Sequence, residues 1–237
     1  MPPNLYFGDI HNHCAVGYAK GSLERAFEIA QEHLDFFAFT GHAQWHDMPV
    51  MPENKHMKWV NGLAAHEKNW PKVKALTRDA NAPGEFVTFG GYEWHSSSHG
   101  DYCPIYPHDE GELIFAYTVD ALASRVTGLG GILIPHHAAY ARDWRGIDWS
   151  RFPATACPVV EAFSEHGACM DDRGLHPMIR HSNGGRTTEG TLQHALSLGL
   201  RFGIIASTDD HFGYPGGYGE GLAGVWADDL TRKSIWE

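Results

Sequence analysis

The sequence predicts an α/β domain in which seven short strands alternate with helices and curl into a closed or nearly closed barrel. Three observations lead there. Seven runs are near-continuously apolar and rich in β-branched and aromatic residues, at 5–10, 35–40, 85–93, 131–135, 158–163, 201–207 and 222–226. Helical patterns fill several of the gaps, and strand–helix–strand spacing implies parallel strands joined by crossovers. The chain has 237 residues, 43% of them hydrophobic, enough for one large core. A strand apolar on both faces is one covered on both faces, which favours a barrel over a half-exposed sheet.

The first strand runs into Asp9-Ile10-His11-Asn12-His13. Residues two apart on a strand share a face, so Asp9, His11 and His13 point the same way. Ser22 caps an amphipathic helix over 22–33, with Leu23, Ala26, Phe27 and Ala30 on its inner stripe. The second strand ends in Thr40-Gly41-His42. After a long helical pattern over 55–79, the third ends in Glu93-Trp94-His95, with His99 and Asp101 following in a Ser/Gly-rich loop. The helix over 119–129 precedes a strand ending in Pro135-His136-His137. The fifth strand carries Glu161 and is followed by Glu165-His166. The helix over 188–198 ends before Gly199, a residue suited to a helix C-terminus. The sixth strand ends in Asp209-Asp210-His211, where Asp209 and His211 share a face. The Gly/Pro-rich stretch 211–221 reads as an active-site loop, because a seventh strand follows it. Thr231 reads as the N-cap of a short last helix. The whole is expected to be a single domain, 1–237, and the abrupt ends leave room for a longer natural chain.

Each strand-end residue alone is an ordinary polar side chain. Six successive strands ending in His, Asp or Glu are not an ordinary coincidence, because parallel α/β folds build their sites at the carboxyl ends of strands. Histidine numbers 17, against 18 lysines and arginines together, and imidazole is the commonest transition-metal ligand. A carboxylate such as Glu93 at the end of an apolar strand is costly to bury unless something cationic meets it.

Composition narrows the alternatives. The net charge of −11 disfavours a nucleic-acid backbone as partner. No apolar run reaches membrane-spanning length, and no signal peptide is visible, which slightly favours the cytoplasm. The four cysteines, Cys14, Cys103, Cys157 and Cys169, form no CxxC pair and read as buried thiols. A small, anionic substrate is expected. The sequence leaves the oligomeric state open.

The order Asp9-x-His11-x-His13, His42, Glu93, His136, His166 and Asp209-x-His211 resembles that of the PHP family, named for polymerase and histidinol phosphatase domains. The resemblance runs from residue 7 to about 228. It extends to Tyr6-Phe7-Gly8-Asp9, Gly91-Tyr92-Glu93-Trp94 and Ile134-Pro135-His136-His137. It implies a distorted seven-stranded (β/α)7 barrel, two or three divalent ions (zinc, manganese or iron), and phosphoester hydrolysis. Carried over, His11, His13, Glu93 and Asp209 would hold one ion. Glu93 would bridge to a second, held also by His136 and His166, with His42 and His211 on a third. The chain departs from the family pattern twice. The stretch after His13 offers no acid or histidine, and Gly41 stands where an acid often precedes His42. His46, His95 or His99 would then complete the third site, or the cluster is binuclear. Between His136 and His137, motif position selects His136.

The expected reaction is attack on phosphorus by a hydroxide shared between two ions, with Glu93, Asp209 and His211 in the catalytic set. Asp9 would orient a ligand from behind. His99, His137, Arg142 and Arg145 are the candidate substrate contacts, the arginines because their planar forks suit phosphate; surface pairing with Asp143 or Asp148 is the alternative for them. Two other functions compete. One is an amidohydrolase-type enzyme cleaving a C–N or ester bond, which usually has eight strands and often a modified lysine bridge. No predicted strand holds a lysine. The other is a non-catalytic metal-binding regulatory domain, in which ligands would be missing.

Overall fold

The structure, a computed structural model, describes residues 3–176, 178 and 185–237. It is a mixed α/β fold built on one eight-stranded sheet and one three-stranded sheet. In chain order the elements are β1 (Asn4–Asp9), α1 (Leu23–His33), β2 (Phe36–Phe39), β3 (His42–Trp45), α2 (Lys55–Ala80), β4 (Val87–Gly91), β5 (Glu93–His95), β6 (Tyr102–Tyr106) and α3 (Val119–Gly128). There follow β7 (Ile132–Pro135), β8 (Val159–Ser164), β9 (Gly167–Ala168), α4 (Leu192–Ser197), β10 (Gly203–Ala206), β11 (Ala223–Ala227) and α5 (Arg232–Trp236).

The large sheet runs β11-β1-β2-β4-β6-β5-β3, with β7 also paired to β6; the small sheet is β10-β8-β9. β7 lies beside β8, and β10 beside β11. Among the described residues no hydrogen-bonded ladder joins the two sheets. The single closed seven-stranded barrel expected from sequence is therefore not what is seen. Nor are the strands uniformly parallel. β1–β2, β2–β4, β3–β5 and β8–β10 are parallel, whereas β11 is antiparallel to β1 and β6 is antiparallel to β4, β5 and β7.

The elements follow from their residues. Ser22 accepts from the Arg25 N–H and opens α1, as its spacing predicts. Thr118, Thr191 and Thr231 cap α3, α4 and α5 in the same way. The 188–198 segment divides into a 3-10 turn over Thr188–Gly190 and the shorter α4, because Thr191 takes an extended conformation to cap it. Along β2 the side chains alternate between two cores. Phe37 and Phe39 pack with the helices through Leu23, Phe27 and Val73. Phe36 and Ala38 face inward with Val87, Phe89, Cys103, Ile105 and Ile134. Full burial of each such phenylalanine is worth about 2–3 kcal/mol. All four cysteines are buried free thiols.

Candidate metal centre

Backbone pairing brings the predicted motifs together. The segment after β1 runs beside the segment after β10: Asp209 donates its N–H to His11 O at 2.7 Å, and His13 donates to Asp210 O at 2.8 Å. A bridge between Asn12 and Asp210 completes this parallel pair. β3 and β5 set His42 opposite Glu93, and the Glu93 N–H donates to Gly41 O at 3.0 Å. β6 stands between β5 and β7, with Tyr102 opposite Pro135, and so fixes His136 at the end of β7 across from Glu93. Asp9 holds the junction from behind. It accepts from the Thr208 hydroxyl at 2.6 Å, the Thr208 N–H at 3.1 Å, the Gly216 N–H at 3.0 Å and the His11 N–H at 3.2 Å.

The side chains converge on Glu93. Its Oε1 lies 2.8 Å from His136 Nε2. Its Oε2 lies 2.6 Å from His42 Nδ1 and 3.4 Å from His13 Nε2. Asp209 Oδ1 lies 3.0 Å from His13 Nε2 and 3.4 Å from His11 Nε2, while its Oδ2 lies 3.1 Å from His166 Nε2. His11 Nε2 and His13 Nε2 stand 3.3 Å apart, and His42 Nε2 and His211 Nε2 3.2 Å apart. The structure thus brings His11, His13, His42, Glu93, His136, His166, Asp209 and His211 into one cluster, buried except at His166 and His211, which are partly exposed.

Other members were less visible in the sequence. His95 Nε2 is 2.9 Å from His42 Nδ1, and its Nδ1 is 3.2 Å from Glu93 Oε1 and 3.1 Å from Asp101 Oδ2. Of the three histidines considered for the incomplete third site, His95 is the one inside the cluster. His46 lies against Trp94 and Tyr117, and His99 against Trp94. His137 faces Asp101 at 3.4 Å rather than Glu93. Arg145 is buried, its Nε donating to Asp101 and its Nη2 standing 3.4 Å from Glu93 Oε1. Arg142 lies at the surface, donating to Asp148 at 2.9 Å. Glu161 meets His11 Nδ1 at 2.9 Å, Tyr140 meets His166 Nδ1 at 2.7 Å, and Glu165 meets His211 Nδ1 at 2.9 Å. The i, i+2 strand rule could have marked His95 beside Glu93. Asp101 carried no such signal, because it precedes an unpredicted strand.

The donor set fits divalent cations. Several triads of ligand atoms, among them His13–His42–His211, His11–His13–Glu93 and His42–Glu93–His95, have all their atoms within 4.8 Å of one another. Pairs of imidazole nitrogens face each other at 3.2–3.3 Å, and each such pair can share one proton or turn its lone pairs to a cation. Glu161 Oε1 is buried without a hydrogen-bond partner, an arrangement that is expensive unless a cation supplies the missing interaction. Burial raises the pKa of Glu93, yet His95, His42 and His136 outweigh it and hold the carboxyl well below its usual range. Burial likewise opposes ionisation of Asp209, and His11 and His166 overcome it. His13 is pushed down to about 3 by burial and by His211. Burial also lowers His136 and His211, but Cys103 and Glu93 carry the former up to about 10, and Glu165 and Asp209 the latter up to about 9.

The backbone is strained at this place. Non-glycine residues with positive φ include His137 (32°), Arg145 (75°) and Asp209 (54°). Such conformations cost about 1–3 kcal/mol each and persist where surrounding contacts enforce them, commonly at functional sites.

No family model matches the sequence, and no curated protein matches it. Solved structures do share the fold. One is a two-domain protein containing a predicted PHP-like metal-dependent phosphoesterase from Bacteroides vulgatus ATCC 8482, at TM-score 0.55 and 14% identity. It aligns over 99% of this chain, which spans 62% of that protein's length. Another is PsfC from Pseudomonas syringae PB-5123, at TM-score 0.51 and 14% identity, over 94% of this chain and 92% of that one. The chain therefore shares its fold with these two structures, and it carries a His/Glu/Asp cluster compatible with metal.

Proposed function

We propose that the chain is a metal-dependent phosphoesterase acting on a small organic phosphate. The observation that carries this reading is Glu93, a buried carboxylate whose two oxygens face different histidines, Oε1 toward His136 and Oε2 toward His42 and His13. That is the disposition of a bridging ligand. His11, His13 and Asp209 would complete one position, His136 and His166 a second, and His42 with His211 a third, to which His95 adds a donor. Divalent ions held there would supply Lewis acidity toward a phosphoryl oxygen and acidify a water.

The chain's own residues do the rest. Arg145, pinned by Asp101, keeps a positive charge beside Glu93 and can meet a phosphoryl oxygen from the protein side. Glu161, Tyr140 and Glu165 fix the ring orientation of His11, His166 and His211 from behind. His211 is the cluster residue that lines the adjoining cavity, which supports its assignment to the departing group.

Protein purified without chelator and reloaded with zinc, manganese or iron should hold two to three equivalents of metal by elemental analysis. Glu93→Ala and His11→Ala should each lose at least one equivalent and about 100-fold or more in turnover of an aryl phosphate. Less than one equivalent in the reloaded wild type, or full activity in both variants, defeats the proposal.

A further inference from the structure

A cavity of about 590 Å³ opens beside the cluster at His211. Its walls come from three segments, one of them the stretch after β10 with His211 and Phe212. The segment after β1 contributes Tyr18 and Lys20, and one face of α2 contributes Lys58, Asn61 and Gly62; residues three and four apart on a helix share a face. The walls are packed together firmly. Tyr18 stacks on Trp59, with ring centroids 4.2 Å apart at 12°. Gly62 sits so close to Gly17 that an added Cβ would stand 2.7 Å from the Gly17 carbonyl oxygen. The Lys20 N–H donates to His211 O at 3.0 Å, tying one wall to the cluster.

The charge of this cavity runs against that of the molecule. The chain carries −11 overall, yet among the described residues no acidic one lines the cavity. Neither Lys20 nor Lys58 makes an ion pair among the described residues; the Lys20 ammonium lies 5.3 Å over the Phe212 ring. Two lysines from different segments line one space with an amide side chain, and His211 of the cluster lines it too. The volume lies within the range of small-molecule sites.

We infer that this cavity is a second anion subsite, so that the substrate carries a further anionic group, a carboxylate or a second phosphate, held by Lys20 and Lys58 while His211 and its neighbours face the scissile phosphate. The inference rests on the phosphoesterase reading. Charge-assisted contacts from lysine give orientation as well as affinity, and rigid placement of the far end of a substrate is what brings its reacting end into line.

Three substrates with one leaving-group skeleton test it: phenyl phosphate, 4-carboxyphenyl phosphate and 4-phosphonophenyl phosphate. The metal-loaded wild type should prefer the two para-anionic compounds. The double variant Lys20→Met/Lys58→Met should lose about ten-fold or more in kcat/KM on those two, mainly through KM, and less than about three-fold on phenyl phosphate. A preference for one para anion over the other identifies the group the subsite takes. A second readout needs no turnover. Calorimetric binding of 4-phosphonobenzoate to the metal-loaded protein should weaken in the double variant and with added salt. Equal losses on all three substrates, or binding indifferent to both lysines, overturns the subsite. Lysine-dependent binding with no hydrolysis of any of the three leaves the subsite standing and overturns the phosphoesterase reading. An unchanged melting temperature confirms that the double variant is folded.

Discussion

Single residues in this fold do work that their neighbours define. His66, on α2, is fully buried and donates from Nδ1 to His42 O at 3.1 Å, so it supports a cluster histidine through the backbone. Burial pulls its pKa from 6.5 down to about 4. The native state therefore holds His66 neutral, while an unfolded chain would protonate it below 6.5. Its contribution to stability is complete above pH 6.5 and fades as pH falls from 6.5 to 4. The ceiling on that loss is about 3 kcal/mol. His66→Phe keeps the ring and removes the titration. Denaturant unfolding between pH 4 and 7 should show a shallower pH slope for the variant than for wild type, alongside a pH-independent cost of about 1–3 kcal/mol for the lost bond to His42 O. Identical slopes refute the assignment. At this scale the sequence was most informative. His11, His13, His42, Glu93, His136, His166, Asp209 and His211 could be picked out because strand ends with i, i+2 polar pairs are a local signal. Asp101, Glu161 as the partner of His11, and Arg145 as a buried cation depend on pairings 44 to 150 residues apart in the chain, which local patterns do not carry.

At the scale of elements, what was missed shares one cause. The run Tyr102-Cys103-Pro104-Ile105-Tyr106 reads as loop because Pro104 interrupts it, since proline cannot donate to a ladder. It forms β6 nonetheless, with Pro104 opposite Leu133 and its neighbours making the strand's pairs. The stretch 85–93 reads as one strand, but Tyr92 breaks it. β4 pairs with β2, and β5 turns to pair with β3. This break turns Glu93 toward His42. The helices were plainer, because capping and 3.6-residue periodicity are short-range. α2 extends over Lys55–Ala80 even with Pro71 inside it. Its place against the segment after β1 depends on Gly62. Gly62→Ala should force the two apart, lowering stability by about 1–3 kcal/mol by thermal or denaturant unfolding. It should also raise KM on the para-anionic substrates more than on phenyl phosphate. A variant as stable as wild type would mean that the contact yields freely.

Over the whole molecule, the cluster and the proton supply are linked. His136 and His211 sit at about 10 and about 9 without metal, His11 is likewise raised, and each must give up its proton to bind an ion. Apparent metal affinity should therefore climb between pH 6 and 9, measured by competition with a chelator. Titrations in two buffers of different ionisation enthalpy should report proton release on loading. Affinity flat across that range excludes these histidines as ligands. Metal binding to the native state alone should also raise the melting temperature with metal concentration. Among the described residues no helix is long and apolar enough to cross a membrane. The pairing of the first strand's end with that of β10 has a further consequence. His13 and Asp209 are separated by 196 positions, so on a ribosome the ligand set stays in two halves until nearly all of the described chain has emerged. On the proposed metal reading, the N-terminal histidines alone would offer an ion only partial coordination early in synthesis, and firm capture would wait for the last strands. Loading would then be a late event that reports on completed folding, and a product halted before Asp209 should bind metal weakly and be recognisable by that weakness.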